Sequence, residues 1–339
     1  MDPINLEDAL KTDRLGMALA AINGLVGDRL RANNNPLATH MGFYHQNRPL
    51  ALTTEQFEST RHELSGRLVV FIHGLSSHEQ MWAFPSAPEQ SALVSYGSLL
   101  MQAQGVTPLY LRYNSGLHIS DNGRLLAALL EELTQVYPRP VDELVLVGHS
   151  LGGLLIRSAC HYGRQSNCDW LEPLNKAIYL GTPHHGVPWQ SLTANMLHRW
   201  STSSNPVIQK LYSFYEGRSA AVRDIVDMAL IEEHWRSEEP TKPLAWSEDL
   251  QHYFIAGSIN EDPNHVMSHA FGDVLVPIGS AQARSALHGH MPAPPNLERN
   301  SKLVPGVKHI ALAHNKKVYD QLQQWLTSTQ DQPRQLAYA

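Results

Sequence analysis

Cysteine is scarce: the 339-residue chain has two, Cys160 and Cys168. A secreted domain stapled by disulfides uses more, which excludes that framework. No apolar run of roughly 18 residues occurs, so no membrane span is predicted. The start, MDPINLEDALKTDR, carries acids and no basic stretch before an apolar run, so no secretory signal is expected there. Charge is also thin and leans acidic, with 17% charged residues and a net charge of −6. That balance excludes the basic surface of a nucleic-acid binder. Hydrophobic residues reach 42%, ample for a large core and too many for a disordered chain. The expectation is a cytoplasmic globular protein, with peripheral contact with lipid left open. Histidine, by contrast, is plentiful at 19 residues.

Strand and helix signals alternate along the chain. Residues 67–73 (RLVVFIH) are rich in β-branched and aromatic residues and suit a buried strand. Further strands are predicted at 108–114, 143–149, 176–182, 252–258 and 301–307. Helices are predicted at 91–104, 120–137, 151–163 and 317–326. In the second of these, Leu125, Leu126, Leu129, Leu130 and Leu133 are read as one stripe, and Ser120 or Asp121 stands near the start as a capping candidate. This alternation implies a mostly parallel central sheet with helices on both faces, an α/β class. One domain over 1–339 is expected, in which residues 1–50 form an N-terminal helical extension with its helical pattern over 4–32. Residues 187–250 interrupt the rhythm. They carry Trp189, Trp200, Tyr212, Phe214, Tyr215 and Trp235, and are expected to form a helical cap or lid insertion.

The chemistry-bearing stretch is VLVGHSLGG, residues 145–153. Gly148, Ser150 and Gly152 fit G-x-S-x-G, with a predicted strand before and a helix after. That context marks a nucleophile elbow. Chain segments crowd such a turn, so positions two before and two after the serine must be small. The helix also points its first N–H groups at the nucleophile, where they favour negative charge.

A serine hydroxyl needs a base, and histidine titrates near working pH. In this architecture the order is Ser, then Asp or Glu, then His. His309 follows the last predicted strand and is the favoured base, ahead of His314; the HGH at 288–290 reads as a loop. Asp273, in FGDVLVP, is the favoured carboxylate, ahead of Glu261, Asp262 and Glu298. Two backbone N–H donors are needed for an oxyanion. Leu151, after the nucleophile, and Leu75, after the first central strand, fit that role, with His73 a structural hydrogen-bonder. The adjacent His184 and His185 in LGTPHHG point to opposite sides of an extended chain, so metal ligation is not expected. No metal or other cofactor is expected, and the substrate-binding residues are left open.

FIHGL, GHSLGG, LGTPHHG, GDVLVP and GVKHIALAH together resemble the α/β-hydrolase superfamily. More narrowly they look like the lipase and esterase branch that includes the GPI inositol-deacylase-like bacterial hydrolases. The resemblance implies an α/β-hydrolase fold, with Ser150 as nucleophile, Asp273 as acid and His309 as base. It implies a serine hydrolase acting on carboxylic esters, a small molecule or a lipid. A thioesterase or amidase using the same triad is the alternative, and a non-catalytic binding protein a more distant one.

Overall fold

The computed structural model describes residues 6–45, 48–58, 61–85, 94–186, 219–237, 241–262, 273–284 and 293–327. Eight strands among them form one sheet: β1 (Gly42–His45), β2 (Arg48–Leu50), β3 (Arg67–Ile72), β4 (Thr107–Arg112), β5 (Glu143–His149), β6 (Leu174–Leu180), β7 (Gln251–Gly257) and β8 (Ser301–Val304). The order is β2-β1-β4-β3-β5-β6-β7-β8. Strands β3 to β8 pair in parallel, and β1 lies antiparallel to both β2 and β4.

The helices are α1 (Leu6–Ala32), α2 (Thr54–Glu58), α3 (Tyr96–Gln104), α4 (Ile119–Val136), α5 (Leu151–Gln165), α6 (Ala220–Asp227), α7 (Glu232–Arg236), α8 (Ile278–Ala281) and α9 (Lys316–Thr327). Alternation along β3 divides the core into two layers. Leu68, Val70 and Ile72 pack with Leu126, Leu130, Leu155 and Ile156 of α4 and α5. Val69 and Phe71 face the other way, toward Tyr96 and Leu100 of α3 and Val318 and Leu322 of α9. Each fully buried leucine of this kind contributes about 1.5–3 kcal/mol of transfer free energy. The sheet is mostly parallel with helices on both faces, as its strand–helix alternation requires. No helix among the described residues is long and apolar enough to cross a membrane.

Three local features depart from the sequence expectations. The first 50 residues are not helical throughout: α1 ends at Ala32, and residues 42–50 supply the edge strands β1 and β2. Two strands this short, one containing Pro49, leave almost no period-2 signal. Second, α4 is not capped by Ser120 or Asp121. It starts at Ile119, whose N–H donates to Asp224 Oδ2 of α6 at 2.7 Å, so the cap comes from another element. Third, the described residues between β6 and β7 comprise the short helices α6 and α7 and an irregular run over 241–250. The first part of this connection, including Trp189, Trp200, Tyr212, Phe214 and Tyr215, lies outside the described residues.

Candidate active site

The sheet order reverses around β3 and β5, because β4 lies on one side of β3 and β5 on the other. Ligands of open α/β sheets bind at the carboxyl ends of such neighbouring strands. Ile72 of β3 pairs with Gly148 of β5, so the loop after β3 and the turn after β5 leave the sheet side by side.

Ser150 forms that turn, with φ 54 and ψ −121. A positive φ is costly for a non-glycine residue and persists only where the surroundings enforce it. Here Ser150 N–H donates to Leu180 O of β6 at 2.9 Å, and Gly153 N–H donates to Ser150 O at 3.0 Å. The flanking glycines are steric requirements. A Cβ on Gly148 would lie 2.6 Å from Gly153 N. A Cβ on Gly152 would overlap Ile72 O and lie 2.7 Å from His73 O. Only glycine lets β3, β5 and α5 meet this closely.

His309 follows β8, and Asp273 lies in a turn after β7. Their side chains meet: His309 Nδ1 donates to Asp273 Oδ2 at 2.8 Å. The backbones are tied as well, His309 N–H donating to Asp273 O at 3.0 Å. The other carboxylate oxygen, Oδ1, accepts the N–H groups of Leu275 (3.1 Å) and Val276 (2.9 Å). Asp273 is fully buried, and every oxygen of its carboxylate has a donor. Val274 within this turn has φ 96, a strained value for a β-branched residue. Gly181 passes close by, with φ 59, and a Cβ there would lie 3.0 Å from Asp273 Oδ2 and 3.1 Å from His309 Nδ1. With Nδ1 donating to the carboxylate, Nε2 of His309 carries the lone pair that can take a proton. No hydrogen bond joins Ser150 Oγ to His309 among the described residues. Catalytic contacts of this kind often tighten only when substrate is bound.

The other candidates lie elsewhere. His314 Nδ1 donates to Met81 O at 3.1 Å. Glu298 pairs with Arg284 at 2.9 Å on the surface, and Glu261 packs beside Gly306. His288 and His290 are outside the described residues.

Leu75 and Leu151 share one apolar cluster with Ala221 and Ile225 of α6. Gly74 brings the β3 loop against the elbow: a Cβ on it would lie 3.0 Å from Ser150 Cβ. Neither the Leu75 nor the Leu151 N–H donates to a described residue; the first N–H groups of a helix have no partner within it. His73 Nδ1 donates to Gly74 O at 2.8 Å, and its Nε2 accepts from Tyr113 N–H at 3.4 Å. Burial pushes its pKa down to about 4, so the ring is neutral.

One residue of the site escaped sequence reasoning. His149, the variable position before the nucleophile, is buried and donates from Nε2 to His309 O at 2.9 Å. Burial, then the nearby His309, holds its pKa well below the usual histidine range. It therefore braces the backbone of His309 as a neutral ring. The sequence holds no local sign of this, because the bond spans 160 residues. His184 sits among the rings of Tyr179, Trp246 and Phe254, with centroids 4.7, 5.0 and 5.2 Å away. His185 N–H donates to Ser280 Oγ.

A strand–serine–helix elbow beside a carboxylate-held histidine, at the carboxyl edge of a parallel sheet, defines an α/β hydrolase by its architecture. Residues 69–321 match the profile of the family described as "Alpha/beta hydrolase family", and the chain belongs to that family. No curated protein matches the chain. Among solved structures it is similar to the mature form of a Bacillus licheniformis lipase, at 18% identity and a TM-score of 0.49, over 77% of this chain and 92% of that one. A thermophilic esterase from Thermogutta terrifontis is similar at 13% identity and a TM-score of 0.40, over 78% and 90% of the two chains. An α/β hydrolase fold protein from Chitinophaga pinensis is similar at 11% identity and a TM-score of 0.44, over 78% and 90%. Likenesses at these identities and scores carry no argument about substrate.

Proposed function

We propose that the protein is a serine hydrolase of carboxylic esters, with Ser150 as nucleophile, His309 as base and Asp273 as the carboxylate that orients it. The observation that carries this reading is the 2.8 Å His309–Asp273 contact at the edge where the strained Ser150 turn emerges. Ser150 Oγ attacks the ester carbonyl while His309 Nε2 takes its proton. The developing oxyanion is met by the Leu75 and Leu151 N–H groups. As the carbon–oxygen bond of the ester breaks, His309 returns the proton to the departing alcohol. Water then attacks the acyl-enzyme by the same route, releasing the acid and Ser150. Asp273 keeps Nδ1 protonated throughout.

The motif resemblance to the GPI inositol-deacylase-like branch supports an ester over an amide. In the same reading, α6 lies over the site, supported by the packing of Ala221 and Ile225 against Leu151. Both cysteines are free thiols, which supports a reducing, cytoplasmic setting. The test is hydrolysis of p-nitrophenyl esters from acetyl to palmitoyl, alongside an acyl thioester and an anilide. Esters are expected to turn over fastest, with loss of turnover in Ser150→Ala. Faster thioester or anilide cleavage would redirect the substrate class, and an active Ser150→Ala would overturn the triad.

A further inference from the structure

Helix α1 ends well before the family-matched region begins at residue 69. It nevertheless presses on the loop that carries Leu75. The helix breaks its regular conformation at Val26 (φ −137, ψ 17), between two close approaches. At Gly24, an added Cβ would overlap Ser76 Oγ and lie 2.8 Å from Ser76 N and Cα. At Gly27, an added Cβ would overlap Asn114 Oδ1, and Asn114 Nδ2 donates to Gly27 O at 2.9 Å. The same helix meets the β4 loop at Gly116, where a Cβ would overlap Asn23 O.

Ser76 is the residue after Leu75 and is held at φ 56. Its N–H donates to Ser115 Oγ at 3.0 Å, and Ser115 is buried. The far end of the loop is fixed by Glu79, which takes both Arg112 Nε and Nη2. Ser76 is thus clamped from two sides, by Gly24 of α1 and by Ser115 of the β4 loop. Its backbone conformation fixes the Leu75–Ser76 peptide, and through Leu75 constrains the adjoining Gly74–Leu75 peptide that carries the Leu75 N–H.

We infer that α1 and Ser115 are positioning elements of the oxyanion site: by clamping Ser76 they aim the Leu75 N–H at the position where the oxyanion forms. This rests on the reading of Leu75 as an oxyanion donor. Gly24 and Ser115 touch no substrate and act through Ser76. A donor displaced by a fraction of an ångström weakens the transition state more than the bound substrate. Loosening the clamp therefore lowers kcat and leaves KM in place.

The test uses the full chain, with p-nitrophenyl butyrate as substrate and kcat expressed per active site titrated by a fluorophosphonate. Ser115→Ala, which removes the acceptor for Ser76 N–H, is expected to lower kcat about tenfold or more, with KM within about twofold, because full loss of one oxyanion donor costs roughly 10²–10³. Ser115→Thr keeps the acceptor and is expected to restore kcat. Gly24→Ala, which forces α1 off Ser76, is expected to act in the same direction, and if it does not fold the Ser115 pair decides alone. Leu15→Ala, on the exposed side of α1, is expected to leave kcat unchanged. A merely structural role would lower the thermal midpoint while leaving kcat per titrated site as in wild type, and that result would overturn the inference. Failure of the underlying reading looks different: wild type would then carry no label on Ser150, or Ser150→Ala would stay active.

Discussion

Among the described residues, two histidine–aspartate pairs are built into this molecule. In one, His309 Nδ1 lies 2.8 Å from Asp273; in the other, His118 Nδ1 lies 3.0 Å from Asp224. Both aspartates are buried, and both also accept backbone N–H groups. Their settings differ. His309 stands by the elbow, with its carbonyl held by His149. His118 lies flat on Trp235, with centroids 4.0 Å apart and planes 7° apart, and the hydrogen bonds of its ring among the described residues go to Asp224 alone. Asp224 meanwhile closes the start of α4 through Ile119 N–H. The second pair fastens α6 to the sheet's carboxyl edge. A carboxylate-oriented imidazole becomes chemistry only where a strained nucleophile and free N–H donors share its space.

The largest expected effect separates the two pairs outright. Ser150→Ala and His309→Ala should each lower kcat roughly 10³-fold or more on a short p-nitrophenyl ester. His118→Ala should remain within about threefold of wild type on the same ester. Comparable losses at both histidines would erase the distinction.

Acid acts on the framework around the pairs. His73 and His252 are buried neutral, each with its pKa pushed from 6.5 down to about 4, chiefly by burial. The folded state therefore refuses a proton that the unfolded chain accepts. Stability is full above pH 6.5 and is lost as pH falls toward 4. A shift of 2.5 units corresponds to about 3 kcal/mol for each ring. Denaturant unfolding at pH 7.5 and pH 4.5 should show a fall of several kcal/mol, with a smaller fall in His252→Gln. A flat profile across this range would mean that these rings are charged when folded.

Gly181→Ala probes the His309–Asp273 contact without touching either residue. Its Cβ would crowd both side chains and Leu312, at a positive φ that alanine resists. The expected result is a tenfold to hundredfold fall in kcat, roughly 1–3 kcal/mol in the barrier, measured on active-site-titrated enzyme. The smallest effect belongs to the fastener. His118→Ala leaves buried Asp224 short of a partner and should cost about 1–3 kcal/mol in denaturant stability.

The chain's own pattern explains which features were legible. The run from Glu143 to Gln165 is local, so strand, turn and helix can be read from residues a few positions apart. Gly148 and Gly152 mark the crowding around Ser150 because steric demand leaves one residue type. The bracing of His309 by His149 was not legible, nor was the docking of Gly24 on Ser76. Both join segments far apart in the chain. The cap of α4 was misread for the same reason: Ser120 and Asp121 are good caps by type, but Asp224 arrives from 105 residues away. Strands β1 and β2 are too short for alternation to appear.

The most direct measurement of the central claim is the site of fluorophosphonate attachment, mapped by peptide mass spectrometry on the full chain. A phosphonyl group on Ser150, absent after denaturation before labelling and sharply reduced in His309→Ala, is the predicted result. Label on a different serine, or none on protein that still hydrolyses p-nitrophenyl butyrate, would contradict it.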